Sequence, residues 1–323
     1  MKVFVAGGTG VIGRSLIPQL VSAGHEVAAT TRFEHKKELL ESLGAKAVVV
    51  DPLDADAVLE AVRTFEPDAL MNQLTSLPQR YEVRKLEPWY RRTARLRVDG
   101  TKNLLAGARE VKARRFINQS VAFMYAPTGP WVVDEDAPLM LDAPKPFDLA
   151  VGPTIEGERL TQSVEGIEGV VLRYGQLYGP GTYFERGGDF VRQARHRMLP
   201  VVGGGQGTFS FVHVDDAAAA TVCALERGRG VYNIVDDDPA PVGDWIPAFC
   251  AEVGAPRPLR LPGWVAVLLA GRLASIFENS RGASNAKAKR ELGWRPSHPS
   301  WRAGFFAGPR VASAVDAAES DTP

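Results

Sequence analysis

Cysteine is nearly absent. Cys223 and Cys250 are the chain's two, and neither has a His or Cys at metal-ligand spacing. That excludes a disulfide framework and a zinc ribbon, and fits a reducing compartment. Net charge is missing too: 38 basic and 38 acidic residues balance to +0, which removes the global electrostatic case for a nucleic-acid or membrane-surface protein. Long apolar runs are lacking. The start, Met1-Lys2-Val3-Phe4-Val5-Ala6, meets glycine too soon for a signal peptide, and the longest later run, Trp264 to Ala270, is far short of a membrane span. There are no internal repeats and no low-complexity segments. These absences imply a soluble, cytoplasmic protein without membrane, nucleic-acid or metal partners.

What is present is an ordinary globular composition, 45% apolar over 323 residues, enough for one large α/β domain or two smaller ones. Short β-branched runs alternate with longer helical patterns. Strands are predicted at Lys2–Ala6, Glu26–Thr30, Ala47–Val50, Ala69–Asn72, Arg115–Gln119, Gly169–Arg173 and Val231–Val235. Helices are predicted at Val11 to Ala23, Ala57 to Phe65, Pro88 to Glu110, Ala217 to Leu225 and Trp264 to Phe277. The fold class that follows is α/β: a Rossmann-type, doubly wound parallel sheet with a smaller C-terminal substrate-binding region. Residues 1–178 form the nucleotide-binding unit, with 209–235 returning to it. Residues 179–208 and 236–305 form the substrate region, and 306–323 a frayed tail.

The strongest local signal is Ala6-Gly7-Gly8-Thr9-Gly10-Val11-Ile12-Gly13. It follows the first strand at once and opens a helix, where glycines permit a tight turn and let backbone approach a pyrophosphate. The helix N-terminus then offers free N–H groups and a positive dipole end. Gly7, Thr9, Gly10, Val11, Ile12 and Gly13 are the expected phosphate cradle. After the second strand the residues are Thr30-Thr31-Arg32, with no acid until Glu34. Arg32 is placed to pair a 2′-phosphate, so the expected cofactor is NADP(H).

With later landmarks, these residues resemble the extended short-chain dehydrogenase/reductases, the NAD(P)-dependent epimerase/dehydratase family. The resemblance rests on Gly7-x-x-Gly10-x-x-Gly13, Asp51-Pro52-Leu53, Asn72-Gln73-Leu74-Thr75, Leu172-Arg173-Tyr174-Gly175-Gln176-Leu177-Tyr178, Val212-His213-Val214-Asp215-Asp216 and Leu292-Gly293-Trp294-Arg295-Pro296. It implies cofactor contacts at Asp51, Leu53, Gln73, Leu74, Thr75 and Tyr174, and substrate contacts at Gln176, Tyr178 and Arg281. It also implies a homodimer through the helices between Pro88 and Glu110.

The chemistry departs from the family. A Tyr with a Lys four residues on, the usual proton-transfer pair, should lie between Pro146 and Thr161. That stretch has neither. The pair is replaced by Phe147/Val151, Asp148/Gly152 or Ala150/Thr154. Val121 fills the usual Ser/Thr slot, with Ser120 one place earlier, and Arg97 stands where the family commonly has Asn. Ser120 and Tyr125 are the candidates for polarising and proton transfer, and Asp148 or Glu156 for the base. Tyr174, Tyr178 and Tyr183 are alternative donors. Asp134-Glu135-Asp136 and Asp236-Asp237-Asp238 read as solvated loops, and Asp215 or Asp216 as a helix cap.

The leading expectation is an atypical NADP(H)-dependent oxidoreductase on a small molecule: ketone reduction, dehydration or epimerisation. Arginine outnumbers lysine, a hint of GC-rich coding and so of specialised metabolism. An NADP(H) sensor without turnover and a non-redox isomerase or cyclase on the same fold remain open.

Overall fold

A computed structural model describes residues 1–78, 80–82, 86–271 and 273–306. Seven strands make one sheet, parallel throughout: β1 (Lys2–Ala6), β2 (Glu26–Thr31), β3 (Lys46–Val49), β4 (Ala69–Asn72), β5 (Arg115–Val121), β6 (Glu168–Tyr174) and β7 (Gly230–Ile234). Their spatial order is β7-β6-β5-β4-β1-β2-β3. This is a Rossmann-type fold, and the order reverses between β1 and β4. Ligands bind at such switch points, outside the carboxyl ends of the strands.

The period of two along each strand divides the core between two helix layers. Val3 and Val5 pack with Ile12, Leu16, Ile17 and Leu20 of α1 (Val11–Ser22). Phe4 and Ala6 point the other way, onto Val58 and Val62 of α2 (Ala55–Phe65) and Leu104 and Ala108 further on. Asp54 caps α2, its carboxylate accepting from the N–H of Ala57 at 3.0 Å. Leu16 is fully buried, so truncating it to Ala costs about 2–5 kcal/mol.

Several boundaries differ from expectation. The helix expected over Pro88 to Glu110 runs as α3 (Leu86–Arg95), a π-turn at Leu96–Gly100 and α4 (Thr101–Glu110). The helix lacking Tyr and Lys is α5 (Asp148–Gln162). The one expected from Trp264 to Phe277 breaks at Gly271, whose φ of 63° is left-handed, into Gly263–Ala270 and Leu273–Asn279. The cap expected at Asp215 or Asp216 is His213 instead. Its ring accepts from the N–H of Asp215 at 3.3 Å, and α6 (Val214–Cys223) begins three residues earlier than expected. Asp216 is buried and holds the C-terminal segment, accepting from Ser297 N–H (2.8 Å), Ser297 Oγ (2.6 Å) and His298 N–H (2.8 Å). Of the expected tail, 307–323 lies outside the described residues.

Candidate active site

The glycine turn is built as its residues require. Gly7 has φ of 89°, and a Cβ there would lie 2.6 Å from the Gln73 carbonyl oxygen; at Gly13 one would meet the Gly8 oxygen at 2.5 Å. The N–H of Gly7 donates to Thr30 Oγ1 (3.1 Å), and that of Gly8 to the Thr30 carbonyl (3.1 Å), tying the turn to β2. Gly10 opens α1 in extended geometry with no side-chain cap. The first N–H groups, from Val11 onward, therefore have no intrahelical partner, and Thr9 is half-buried beside them.

Arg32 follows β2 and is half-buried. Its guanidinium lies 5.4 Å from the Phe33 ring centroid, and the Lys36 ammonium lies 5.2 Å from the same ring. Among the described residues no carboxylate pairs with Arg32; Glu34 takes Lys37 at 3.1 Å. The Asp51 carboxylate accepts from the N–H of Leu53 at 3.0 Å, shaping the turn after β3. After β4, the Gln73 N–H donates to the Ala6 carbonyl (2.9 Å), and the Leu74 carbonyl accepts from Gln119 Nε2 (2.7 Å). Thr75 beyond them is exposed. All of these stand at the carboxyl ends of β1 to β4. A bare helix N-terminus, a turn that side chains would fill and an unpaired guanidinium suit an anionic dinucleotide.

On the other side of the switch point, the structure assembles a buried polar network. Arg173 on β6 forks onto Glu158 of α5, Nε to Oε1 at 2.8 Å and Nη2 to Oε2 at 2.7 Å. Ser120 Oγ donates to Glu158 Oε1 at 2.5 Å. The Tyr125 hydroxyl donates to Asn233 Oδ1 (2.7 Å) and accepts from Arg173 Nη1 (2.9 Å). Glu135 joins through its carboxylate, which accepts from the Asn233 N–H at 2.7 Å, and burial raises its pKa. Burial likewise raises that of Tyr125, against the lowering effect of Arg173.

These contacts place several of the expected groups. Ser120 and Tyr125 are each 1% exposed, so both expected reaction groups are enclosed and already hydrogen-bonded. Tyr174 faces the core behind the turn, where its hydroxyl meets Thr221 Oγ1 (2.6 Å) and Gln73 Nε2 (3.1 Å). Burial pushes its pKa up to about 12. Tyr178 is sealed among Phe211, His213 and Phe305, so it cannot meet substrate without repacking. Tyr183 donates its proton to the Pro78 carbonyl at 2.5 Å. Neither acidic loop is simply solvated. Glu135 serves the network, and Asp236 is buried, accepting from the Trp301 N–H at 3.0 Å, with burial lifting its pKa to about 8.

Asp148 sits in the first turn of α5, with Oδ1 buried and, among the described residues, without a hydrogen-bond partner. Gln176 is half-buried, its N–H donating to the Ser210 carbonyl at 2.7 Å. Arg281 lies over the Trp131 ring at 4.2 Å and donates to the Asn279 carbonyl at 2.8 Å. The sequence reading missed Glu158, Arg173 and Asn233. A lone arginine inside the apolar run Val170–Tyr174 was the available signal, because a buried guanidinium needs a carboxylate.

A family profile described as the NAD dependent epimerase/dehydratase family matches residues 3–235. The chain belongs to that family. It is 43% identical over 310 residues to a 3-diazoavenalumate denitrifying reductase of a Streptomyces species, covering 94% of this chain and 99% of that protein. It is 27% identical to 2-alkyl-3-oxoalkanoate reductase of Stenotrophomonas maltophilia, over 80% of this chain and 77% of that one. Among solved structures, UDP-glucose 4-epimerase of Thermotoga maritima, with UDP-glucose, superposes with a TM-score of 0.73 at 22% identity, covering 94% and 96% of the two chains. A human epimerase family protein with NADPH gives 0.71 at 23% identity, covering 94% and 98%. Among the described residues no helix is long and apolar enough to cross a membrane, and no group of three His, Cys, Asp or Glu could hold a metal ion.

Proposed function

We propose that the protein is an NADP(H)-dependent reductase that replaces the dinitrogen of an aromatic diazo compound with hydrogen. One observation carries the reading: the two hydroxyls expected to move the proton, those of Ser120 and Tyr125, are not free. Helix α5 has neither Tyr nor Lys, and the hydroxyls of Ser120 and Tyr125 are consumed in the Glu158–Arg173 network. Reducing a ketone places charge on an oxygen that a general acid must answer. A diazo group leaves as dinitrogen and asks for no such acid. The 43% identity to a denitrifying reductase supports the same chemistry.

The turn residues Gly7, Thr9, Gly10, Val11, Ile12 and Gly13 would hold the pyrophosphate, with Asp51, Leu53, Gln73, Leu74 and Thr75 along the nucleoside, and Arg32 on a 2′-phosphate. Bound there, the reduced nicotinamide supplies a hydride. Tyr174 supports this side through Gln73. Gln176, Arg281 and Asp148 remain the polar groups proposed for the substrate. The buried network holds α5 against β5 and β6, which keeps the reaction surface rigid.

The test is stoichiometric. With NADPH and an aryl diazo compound, one dinitrogen should be released for each nucleotide oxidised. Nucleotide oxidation without dinitrogen release, or neither despite nucleotide binding, would refute it.

A further inference from the structure

The seam between α3 and α5 contains a charge that no described residue pairs. Arg97 lies in the π-turn Leu96–Gly100, a geometry often found at functional positions. Its carbonyl accepts from Thr101 Oγ1 at 2.6 Å, and lies 3.0 Å from where Gly157 would carry a Cβ. The turn is thus pressed onto α5 beside Glu158. Yet among the described residues the Arg97 side chain has no hydrogen bond and no ion pair. The nearby acid is taken, since both oxygens of Glu158 are held by Arg173 and one also by Ser120. Three neighbouring cations are paired, Arg91 with Glu87 (2.7 Å), Arg95 with Asp99 (3.8 Å) and Arg159 with Glu156 (2.7 Å), whereas Arg92 and Lys102 are exposed to water.

Arg97 is also partly stripped of water. Burial lowers its pKa to about 10, against the opposing influence of Glu158. It therefore stays cationic at neutral pH, half-buried and short of part of the hydration that would stabilise it. Such a group invites an anion.

The other end of the seam is aromatic. Tyr90, two turns before Arg97, meets the Phe147 ring at 6.4 Å, and Phe147 meets Phe123 at 6.4 Å. Met124 and Val151 belong to the same cluster.

We propose that Arg97 is the anion-binding residue of the reaction site, pairing with a carboxylate or phenolate oxygen of an aromatic substrate whose ring lies against Tyr90, Phe123 and Phe147. The proposal rests on the reductase reading above. In a diazo compound whose oxygen is conjugated with the diazo carbon, a hydride replaces dinitrogen. The hydride's electron pair becomes the new C–H bond, the C–N bond breaks with its pair leaving on N₂, and the negative charge rests on the oxygen as phenolate. Atoms and charge balance without a proton from the protein. A guanidinium stabilises that oxygen without surrendering a proton, as a tyrosine would.

The test is calorimetric, on the full chain with NADP⁺ present. Benzoate probes the carboxylate, methyl 4-hydroxybenzoate at pH 9 the phenolate, and 4-hydroxybenzoate both. Wild type should bind at least one of these anions. R97Q should weaken that binding about tenfold to hundredfold, and R97K should recover part of it. Melting temperatures of both variants check that they fold, and R97K carries the test if R97Q does not. Loss confined to benzoate assigns the carboxylate, and loss confined to the ester assigns the phenolate. No anion binding by wild type, or equal binding by wild type and R97Q, overturns the proposal. Diazo turnover by wild type is read separately. If it fails while Arg97-dependent binding stands, the reductase reading falls and the anion site remains.

Discussion

The guanidinium of Arg173 grips both carboxylate oxygens of Glu158, at 2.8 and 2.7 Å, with the two residues 4% and 3% exposed. Strand β6 and helix α5 are locked together by this fork, and Ser120 and Tyr125 are drawn into it. Breaking a buried pair from one side leaves an uncompensated charge. E158Q should therefore lose about 3–5 kcal/mol of stability. The double variant Glu158→Leu with Arg173→Met should lose less than E158Q alone. Urea denaturation measures both, and a larger loss in the double variant would contradict the account.

Tyr125 separates a structural hydroxyl from a catalytic one. Y125F leaves Arg173 Nη1 and Asn233 Oδ1 each short of one partner, which should cost about 1–3 kcal/mol. Turnover of folded protein should stay within a few-fold of wild type. Loss of turnover by orders of magnitude, in a variant that still melts cooperatively, would return Tyr125 to proton transfer.

Arg32 should set the choice of nucleotide. R32A should weaken NADPH binding by about tenfold or more while changing NADH binding little, because a charge-assisted contact to phosphate is lost. Calorimetry reads the ratio. An equal loss for both nucleotides would place the guanidinium elsewhere.

Stability should fall as pH rises from about 6.5 to about 8. Burial lifts the Asp236 carboxyl to about 8 in the folded protein, far above its ordinary value. Between those two values the folded state binds the extra proton, so raising the pH favours unfolding. His213 is shifted the other way by burial, so its contribution acts below its ordinary value and leaves this window clear. D236N should flatten the slope, as followed by denaturation across a pH series.

Much of the fold was legible because its signals are local. The glycine turn, the alternation Val3-Phe4-Val5-Ala6 and the stop at Gly24 each act within a few residues. The π-turn at Leu96–Gly100 was not, since nothing in Leu-Arg-Val-Asp-Gly distinguishes it from an ordinary helical turn. Glu158 and Arg173 are fifteen positions apart in different elements, and their pairing depends on how α5 crosses β6. Tyr178 looks polar in sequence, yet Phe211 and Phe305, from distant segments, decide that it is core. The missing Tyr and Lys were visible at once. That the nearby hydroxyls were also occupied could be seen only in three dimensions.

Substrate choice tests the central claim most directly. Wild-type protein with NADPH is offered an aryl diazo compound and an aryl ketone of matched shape, and the initial rates are compared. The diazo compound should be consumed and the ketone left essentially untouched. Reduction of the ketone at an equal or greater rate would contradict the account, because it would require a proton donor that neither α5 nor the engaged hydroxyls of Ser120 and Tyr125 supply.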